Sequence, residues 1–164
     1  MKDLVMSTDN LKFDAYLFDL DGTLCDVRHR RKFVTSKPKN WQAWNAGLVN
    51  DPPNKPVCEI FKKLAGIRTS DCYDWKMIIV SGRSDEYKEQ TEEWLRKNQL
   101  FYDAIYMRKA NDSRDDAIVK AEFADEIEKH YNILGVFDDR LKVVRMWQER
   151  GIFVFDVGQG ASDF

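Results

Sequence analysis

Two aspartates, Asp19 and Asp21, lie two positions apart, and a glycine, Gly22, follows them directly. A carboxylate at such a position can act as a nucleophile, and a second carboxylate beside it can deliver and remove protons. Gly22 would permit the tight turn that brings Asp21 back toward Asp19. An apolar run at 15–18, typical of a buried strand, precedes the pair. The spacing therefore predicts a catalytic carboxylate pair at the end of the first strand.

Polar and charged side chains also follow three later apolar runs of the chain. They are Ser81, Gly82 and Arg83 after the second run, Arg108 after the third, and Asp138, Asp139 and Arg140 after the fourth. Ligands of parallel sheets bind outside the carboxyl ends of the strands, so these groups are expected to converge. Together with the first carboxylate pair, they predict an acidic pocket that can hold a metal beside groups that can hold a phosphate.

A carboxylate that attacks a phosphate monoester is an anion approaching a dianion, so the reaction needs a cation, and Mg²⁺ prefers oxygen ligands. The predicted metal ligands are Asp19, Asp21, Asp138 and Asp139, with either Asp138 or Asp139 supplying the late ligand. Ser81 and the amides near Gly82 are predicted to bind phosphate oxygens. Lys120 lies four residues after Asp116 on a predicted helix, where it could supply fixed positive charge.

The elements that must position these residues follow from the pattern of apolar runs. Five such runs predict strands at 15–18, 76–80, 104–107, 133–137 and 153–155. Their apolar residues are not interrupted by polar ones, which is typical of strands covered on both faces. Amphipathic patterns predict helices at 56–64, 85–98, 112–130 and 141–150. This alternation predicts an α/β fold with a parallel sheet, and the segment at about 25–55 is predicted to be an insertion over one end of it.

The bulk properties of the chain narrow the classes of function. It has 164 residues, a net charge of −2 and a pI of about 5.8, which predicts one domain over 1–164 and argues against broad, non-specific binding of nucleic acid. No apolar run is long enough to span a membrane, and the N-terminus lacks the pattern of a signal peptide. Cys25, Cys58 and Cys72 form no recognisable pattern, which indicates free thiols. A cytoplasmic protein without membrane contact is therefore expected.

The segment DLDGTL at 19–24 resembles the first motif of the haloacid dehalogenase (HAD) superfamily. In that family the first Asp is the nucleophile and the second is the general acid/base. The second, third and fourth motifs resemble the segments around Ser81, Lys120 and Asp138-Asp139, in the same order. The resemblance implies a HAD-like Rossmannoid three-layer sandwich with a small cap insertion after the first strand. It also implies Mg²⁺ as the cofactor and an aspartyl-phosphate intermediate on Asp19.

A closer resemblance is to the 3′-phosphatase domain of phage T4-type polynucleotide kinase/phosphatase. It includes the arginines that follow the strands, the acidic segment at 112–116, and the tail at 160–164. The resemblance implies substrate-binding positions at Arg30, Arg83, Arg108 and Asp116. It also implies a polynucleotide 3′-phosphatase that acts on 3′-phosphorylated DNA or RNA ends in nucleic-acid end repair. A separate kinase or ligase would be its partner, and a phage-encoded protein would work in the host cytoplasm.

Three other functions are alternatives to this one. The first is a phosphatase of free nucleotides or of another small phosphomonoester, with the insertion closing over the substrate. A receiver domain also uses an aspartyl-phosphate, but its acidic motifs come in the reverse order. A catalytically silent binding module is disfavoured because every motif group is present. In the insertion, Trp41 and Trp44 either pack on the sheet or form a stacking surface for a nucleobase.

Overall fold

Parallel strands form the middle of the fold, in a computed structural model that describes residues 12–67 and 74–158. The strands are β1 (Phe13–Phe18), β2 (Trp75–Ser84), β3 (Ala104–Arg108), β4 (Tyr131–Asp138) and β5 (Val154–Asp156). Their order in the sheet is β3-β2-β1-β4-β5, and each pair of neighbours is parallel. Each strand overlaps one predicted apolar run, so the predicted parallel sheet is confirmed. Because β1 lies between β2 and β4, the carboxyl ends of these three strands are adjacent.

The described residues form six α-helices around the sheet. They are α1 (Lys32–Thr35), α2 (Trp41–Ala46), α3 (Lys55–Ile67), α4 (Lys88–Lys97), α5 (Asp116–His130) and α6 (Leu141–Glu149). Short 3-10 helices at Leu48–Asn50 and Asp85–Tyr87 precede α3 and α4. The predicted helix at 112–130 starts too early, because Asp115 caps α5 by accepting from the amide of Ala117 at 3.0 Å.

Alternate residues of the strands face two separate apolar clusters. Ala15 and Leu17 of β1 belong to the cluster on the side of α5 and α6, where Trp147 is fully buried. Phe18 of β1 belongs to the other cluster and contacts Phe61 of α3, with ring centroids 4.8 Å apart. Both faces of the strands are therefore covered, which explains their uninterrupted apolar runs. Helices on both sides of the sheet confirm the predicted three-layer α/β architecture.

The insertion between β1 and α3 contains α1, α2 and the first 3-10 helix. Backbone amides of Asp26 and Asn54 donate to the carbonyl oxygens of Pro52 and Leu24, each at 2.8 Å. These hydrogen bonds hold the two ends of the insertion side by side. The chain therefore leaves and re-enters the fold at one place, close to the carboxyl end of β1.

The two tryptophans of α2 have different surroundings. Trp44 is buried, and its ring centroid lies 3.9 Å from the guanidinium carbon of Arg30. Trp41, one turn earlier in the helix, keeps 54% of its surface exposed. Packing therefore accounts for Trp44, whereas the exposed ring of Trp41 is available to a ligand.

The remaining expectations concern membrane contact, the cysteines and the bounds of the domain. Within 12–67 and 74–158, no helix is both long and apolar enough to cross a membrane. Cys25 and Cys58 are buried free thiols. Cys72 and the tail at 160–164 lie outside the described residues, so the single domain over 1–164 stays a prediction.

Candidate active site

The carboxyl ends of β1 and β4 bring Asp19 and Asp138 together. The backbone amide of Asp19 donates to the carbonyl oxygen of Phe137 at 3.0 Å, which extends the pairing of the two strands. Lys120 of α5 lies between the carboxylates, with its Nζ 2.8 Å from Asp19 Oδ1 and 2.8 Å from Asp138 Oδ2. All three charged side chains are buried. Their relative positions are therefore set by regular secondary structure and not by exposed loops.

Asp139 completes a group of three carboxylates with Asp19 and Asp138, and their candidate ligand atoms all lie within 4.8 Å of one another. Burial raises the pKa of Asp19 and Asp138, and burial together with the charge of Asp138 raises the pKa of Asp139 to about 7. Lys120 opposes these shifts, but its single charge is shared by the group. A divalent cation would offset the remaining repulsion, and carboxylate oxygens suit Mg²⁺. The group therefore fits the predicted metal.

Two glycines leave room for carboxylates of the site. Gly22 has a φ of +95°, and a Cβ at this position would lie 2.0 Å from Asp139 Oδ2. A Cβ at Gly82 would lie 2.1 Å from Asp116 Oδ1. Asp116 in turn has a carboxylate oxygen 3.7 Å from Nζ of Lys120. Both glycines therefore permit a close approach of backbone and carboxylate that no other residue type would allow without movement.

Asp21 is held by two arginines and is not one of the three clustered carboxylates, Asp19, Asp138 and Asp139. Its Oδ1 accepts hydrogen bonds from Arg30 at 2.6 Å and from Nε of Arg83 at 3.0 Å. Burial raises the pKa of Asp21, but the guanidiniums of Arg83 and Arg30 outweigh burial and hold this pKa well below its usual range. The carboxylate is thus paired with two cations, and the role of Asp21 as a metal ligand stays a prediction.

A buried carboxylate that sequence reasoning missed, Asp51, holds the same two arginines. Asp51 Oδ1 accepts from Nε of Arg30 at 2.7 Å, and Oδ2 accepts from Arg83 at 3.0 Å. The indole N–H of Trp94 donates to the backbone carbonyl oxygen of Asp51 at 2.7 Å. One signal could have marked this residue: it is the first acidic residue after a stretch, 27–50, that contains no Asp or Glu.

Two of the three arginines predicted to bind substrate are enclosed by the protein, and the third is partly exposed. Arg30 and Arg83 keep 1% and 5% of their surface exposed. Arg108 lies elsewhere, where its guanidinium donates to Asp116 at 3.0 Å. The structure thus gathers Arg30 and Arg83 around Asp21 and places Arg108 on Asp116. Their contact with a substrate phosphate stays a prediction.

Ser81 lies in β2 near its carboxyl end, where its Oγ accepts from the backbone amide of Arg83 at 3.2 Å. Arg140, which sequence reasoning noted without a role, follows β4 and keeps 27% of its side chain exposed. A guanidinium nitrogen of Arg140 lies 3.5 Å from Asp116 Oδ2. Burial lowers the pKa of Arg140, but the carboxylates of Asp116 and Asp19 raise it overall. Arg140 is therefore a charged and more accessible cation beside the carboxylate group.

Residues 13–164 match the family described as the phosphatase domain of polynucleotide kinase PNKP. The chain belongs to this family. The predicted HAD-type phosphatase related to polynucleotide kinase/phosphatase is thereby confirmed. The predicted site residues lie at or next to the carboxyl ends of β1, β2, β3 and β4, or on α5 and in the insertion beside them.

Individual relatives of this phosphatase domain agree with the family. A bifunctional polynucleotide kinase/RNA ligase of Autographa californica nuclear polyhedrosis virus is 31% identical over 156 residues, which cover 92% of this chain and 20% of the viral protein. A chain in the structure of the Pnkp1/Rnl/Hen1 RNA repair complex is 32% identical, with a TM-score of 0.74 over 99% of this chain and 48% of that one. This phosphatase domain thus spans about a fifth of the viral relative and about half of the structural one.

A more distant neighbour shows how widely the fold is shared. The Class C acid phosphatase from Bacillus anthracis, with tungstate bound, is 14% identical to the phosphatase domain, with a TM-score of 0.64 over 94% of this chain and 70% of that one. At this identity the likeness concerns the fold alone. It confirms the HAD-like architecture.

Proposed function

We propose that this phosphatase domain removes the terminal 3′-phosphate of a polynucleotide, with Asp19 as the nucleophile. The observation that carries the proposal is the buried group of Asp19, Lys120, Asp138 and Asp139 at the carboxyl ends of β1 and β4, in a chain of the polynucleotide kinase phosphatase family. Such a group combines a nucleophile, a fixed positive charge and an oxygen-rich site for a metal.

In the first step, a carboxylate oxygen of Asp19 attacks phosphorus, and the bond between phosphorus and the 3′ oxygen breaks. Oδ1 of Asp19 accepts a hydrogen bond from Lys120 at 2.8 Å, so Oδ2 is the oxygen that remains for the attack. The product of this step is an aspartyl-phosphate on Asp19 and a free 3′ oxygen. The buried ammonium of Lys120 keeps Asp19 oriented and stabilises the charge that gathers at phosphorus.

Asp21 is the group proposed to protonate the departing 3′ oxygen and then to take a proton from the water that hydrolyses the aspartyl-phosphate. The second task suits Asp21 as the structure has it, because Arg30 and Arg83 keep its carboxylate ionised. The first task requires a proton on Asp21. A phosphate dianion that draws the guanidiniums toward itself would raise the pKa of Asp21 and favour that proton.

Mg²⁺ would be held by Asp19, Asp138 and Asp139. When bound, it supplies the positive charge that lets an anionic nucleophile approach a phosphate dianion. Gly22 contributes by leaving space for the carboxylate of Asp139. Arg140, whose side chain is 27% exposed, would contact phosphate oxygens of the substrate.

A panel of substrates tests the proposal. With Mg²⁺ present, hydrolysis is measured for 3′- and 5′-phosphorylated oligonucleotides, nucleoside 3′-monophosphates and sugar phosphates. The 3′-phosphorylated oligonucleotides should have the highest kcat/KM. If they are hydrolysed no faster than nucleoside monophosphates, the domain is a small-molecule phosphatase instead.

Asp19→Asn tests the nucleophile. The substitution should lower kcat at least about a thousandfold while leaving the fold intact, because the amide cannot form the intermediate. Asp26→Asn is the matched control, since Asp26 pairs with Arg28, whose side chain is 83% exposed. Full activity of Asp19→Asn would remove the mechanism. A phosphorylated Asp19 that never turns over would instead indicate a receiver-like domain.

The proposed partners follow from the relatives. The viral relative is named for kinase and ligase activities, and the structural relative belongs to an RNA repair complex. We therefore expect a kinase and a ligase, joined to this domain or separate from it, to complete end repair in the cytoplasm. Co-purification of the full protein with ligase activity on 3′-hydroxyl and 5′-phosphate ends would test this expectation.

A further inference from the structure

The insertion has an unusual distribution of charge. Positions 27–50 contain six of the 26 Lys and Arg residues of the chain and none of its 28 Asp and Glu residues. The net charge of the whole chain, −2, hides this contrast. The insertion is therefore a basic segment on a protein that is otherwise acidic, and such a segment attracts polyanions locally.

Much of this charge is exposed and has no carboxylate partner. The side chains of Lys32, Lys37 and Lys39 are exposed, and no ion pair joins them to an acid within 12–67 and 74–158. Arg30 is used internally, by Asp51 and Asp21. Three lysines of the insertion thus remain for contact with an outside anion.

An exposed aromatic ring lies beside one of these lysines. Trp41 keeps 54% of its surface exposed, and Nζ of Lys39 lies 5.3 Å from its ring centroid. Stacking of a base on an exposed indole, with cations nearby for the backbone, is how proteins bind single strands without reading their sequence. Trp44, one turn later, is already used as packing for Arg30.

Buried contacts connect helix α2, which carries Trp41, with the active site. Trp44 lies against Arg30, and Arg30 donates to Asp21 at 2.6 Å. Trp41 is three residues before Trp44 in α2, a rise of about 5 Å along the helix. A strand whose 3′ end reached Asp19 could therefore lie along the insertion with its preceding nucleotides.

We propose that Lys32, Lys37, Lys39 and Trp41, here called the insertion face, bind the nucleotides that precede the 3′ end of a single-stranded polynucleotide. The indole stacks on a base, and the lysines contact backbone phosphates. The proposal rests on the proposed polynucleotide substrate and adds the surface that recognises it. It also explains how a chain with a net charge of −2 can bind a polyanion.

Two variants test the insertion face by binding. Fluorescence anisotropy is measured with labelled single-stranded 12-mers of DNA and of RNA that end in a 3′-hydroxyl, so that no turnover occurs. Trp41→Ala should weaken binding about tenfold, as expected for one lost base stack. Replacement of Lys32, Lys37 and Lys39 by alanine should lower the slope of log Kd against log salt concentration by about 2, since each phosphate contact contributes about 0.7.

Matched controls remove similar groups elsewhere on the surface. Phe101→Ala removes an aromatic side chain that is 64% exposed, and alanine replacement of Lys88, Lys97 and Lys129 removes three lysines from α4 and α5. Both controls should bind the 12-mers like wild type. If the insertion-face variants also bind like wild type, or lose no more affinity than the controls, the insertion face is not the binding surface.

Hydrolysis separates this inference from the proposed function. With p-nitrophenyl phosphate, the insertion-face variants should keep wild-type kcat/KM, because Asp19 and its neighbours are unchanged. With 3′-phosphorylated 12-mers, their kcat/KM should fall about tenfold. Equal losses on both substrates would overturn the insertion face, since they would indicate a damaged active site. A wild-type protein that binds 12-mers through the insertion face but does not hydrolyse their 3′-phosphates would instead contradict the proposed reaction alone.

Discussion

Replacing Asp51 by asparagine should destabilise the fold, although Asp51 belongs neither to the sheet nor to the carboxylate group. The side chain of Asp51 is fully enclosed, and those of its partners Arg30 and Arg83 are 1% and 2% exposed. Asparagine has nearly the same size but carries no charge. In the variant, Asp21 would be the one carboxylate left to face the two buried guanidiniums.

The expected magnitude follows from the burial of the arginines. Removing one partner of a buried ion pair costs about 3–5 kcal/mol, because the other charge stays buried without compensation. Asp21 still pairs with both Arg30 and Arg83, so a loss near the lower end, about 3 kcal/mol, is expected for Asp51→Asn. In a domain of this size each kcal/mol lowers Tm by about 2–4 °C. The decrease in Tm should therefore be about 6–12 °C.

Thermal unfolding followed by circular dichroism measures this decrease. The matched control is Asp26→Asn, because Asp26 also pairs with an arginine, Arg28, whose side chain is 83% exposed. Water and salt screen that pair, so the control should melt close to wild type. If Asp51→Asn melted in the range of the control, the buried carboxylate would not be what holds the two arginines in place.

Three further perturbations concern the cluster of Asp19, Asp138 and Asp139. In EDTA, Tm should fall as the pH rises from about 4 to 7. The reason is that Asp139, whose pKa is raised to about 7, keeps a proton in the folded protein that the unfolded chain has lost. Calorimetry with and without Mg²⁺ should show that the free energy of unfolding decreases by at most about 4 kcal/mol, and by less when the ion is present. Gly22→Ala should cost about 1–2 kcal/mol in urea unfolding because of its positive φ, and should abolish phosphatase activity because the added Cβ meets Asp139. Lys120→Met should lower the free energy of unfolding in EDTA by about 3–5 kcal/mol, because Asp19 and Asp138 lose their shared cation. Urea unfolding should show that Mg²⁺ restores part of this stability.

Each of these perturbations has its own control. Asp139→Asn should reduce the pH dependence seen in EDTA without removing it, because burial also raises the pKa of Asp19 and Asp138. An unchanged dependence would show that Asp139 does not contribute to it. Gly151→Ala shares the positive φ, at +75°, but its Cβ would meet nothing within 4 Å, so it should keep full activity. Equal activity loss in both glycine variants would contradict the contact with Asp139. Lys129→Met removes an exposed lysine from the same helix as Lys120 and should show no recovery with Mg²⁺.

Most of the sheet could be predicted because its signal is local. The run at 76–80 is long, apolar and rich in β-branched residues, and it lies within β2. The start of α5 could not be placed from periodicity, because acidic residues at 112–115 continue the helical pattern. Only the hydrogen bond from the amide of Ala117 to Asp115 marks the true cap.

The candidate site also contains residues that could be predicted from the sequence and residues that could not. Asp19, Asp138 and Lys120 could be predicted from strand ends and helix position, and in the structure Nζ of Lys120 lies 2.8 Å from an oxygen of each carboxylate. The burial of Arg30 and Arg83 could not be predicted, because it depends on Asp51. That residue lies 21 and 32 positions away from them, and its pairing is created only by the folding of the insertion.

Strand β1 is hydrogen-bonded on both sides, to β2 and to β4. Its amide protons should therefore exchange with solvent only when the whole sheet opens, at the free energy of global unfolding. Asp19 follows this strand directly, whereas the insertion face is built on the short helices α1 and α2, whose amides should exchange through small local openings. Heating should therefore weaken the binding of polynucleotide to the insertion face well before it displaces Asp19. A destabilised variant should keep its turnover number per folded molecule up to the temperature at which the sheet itself melts.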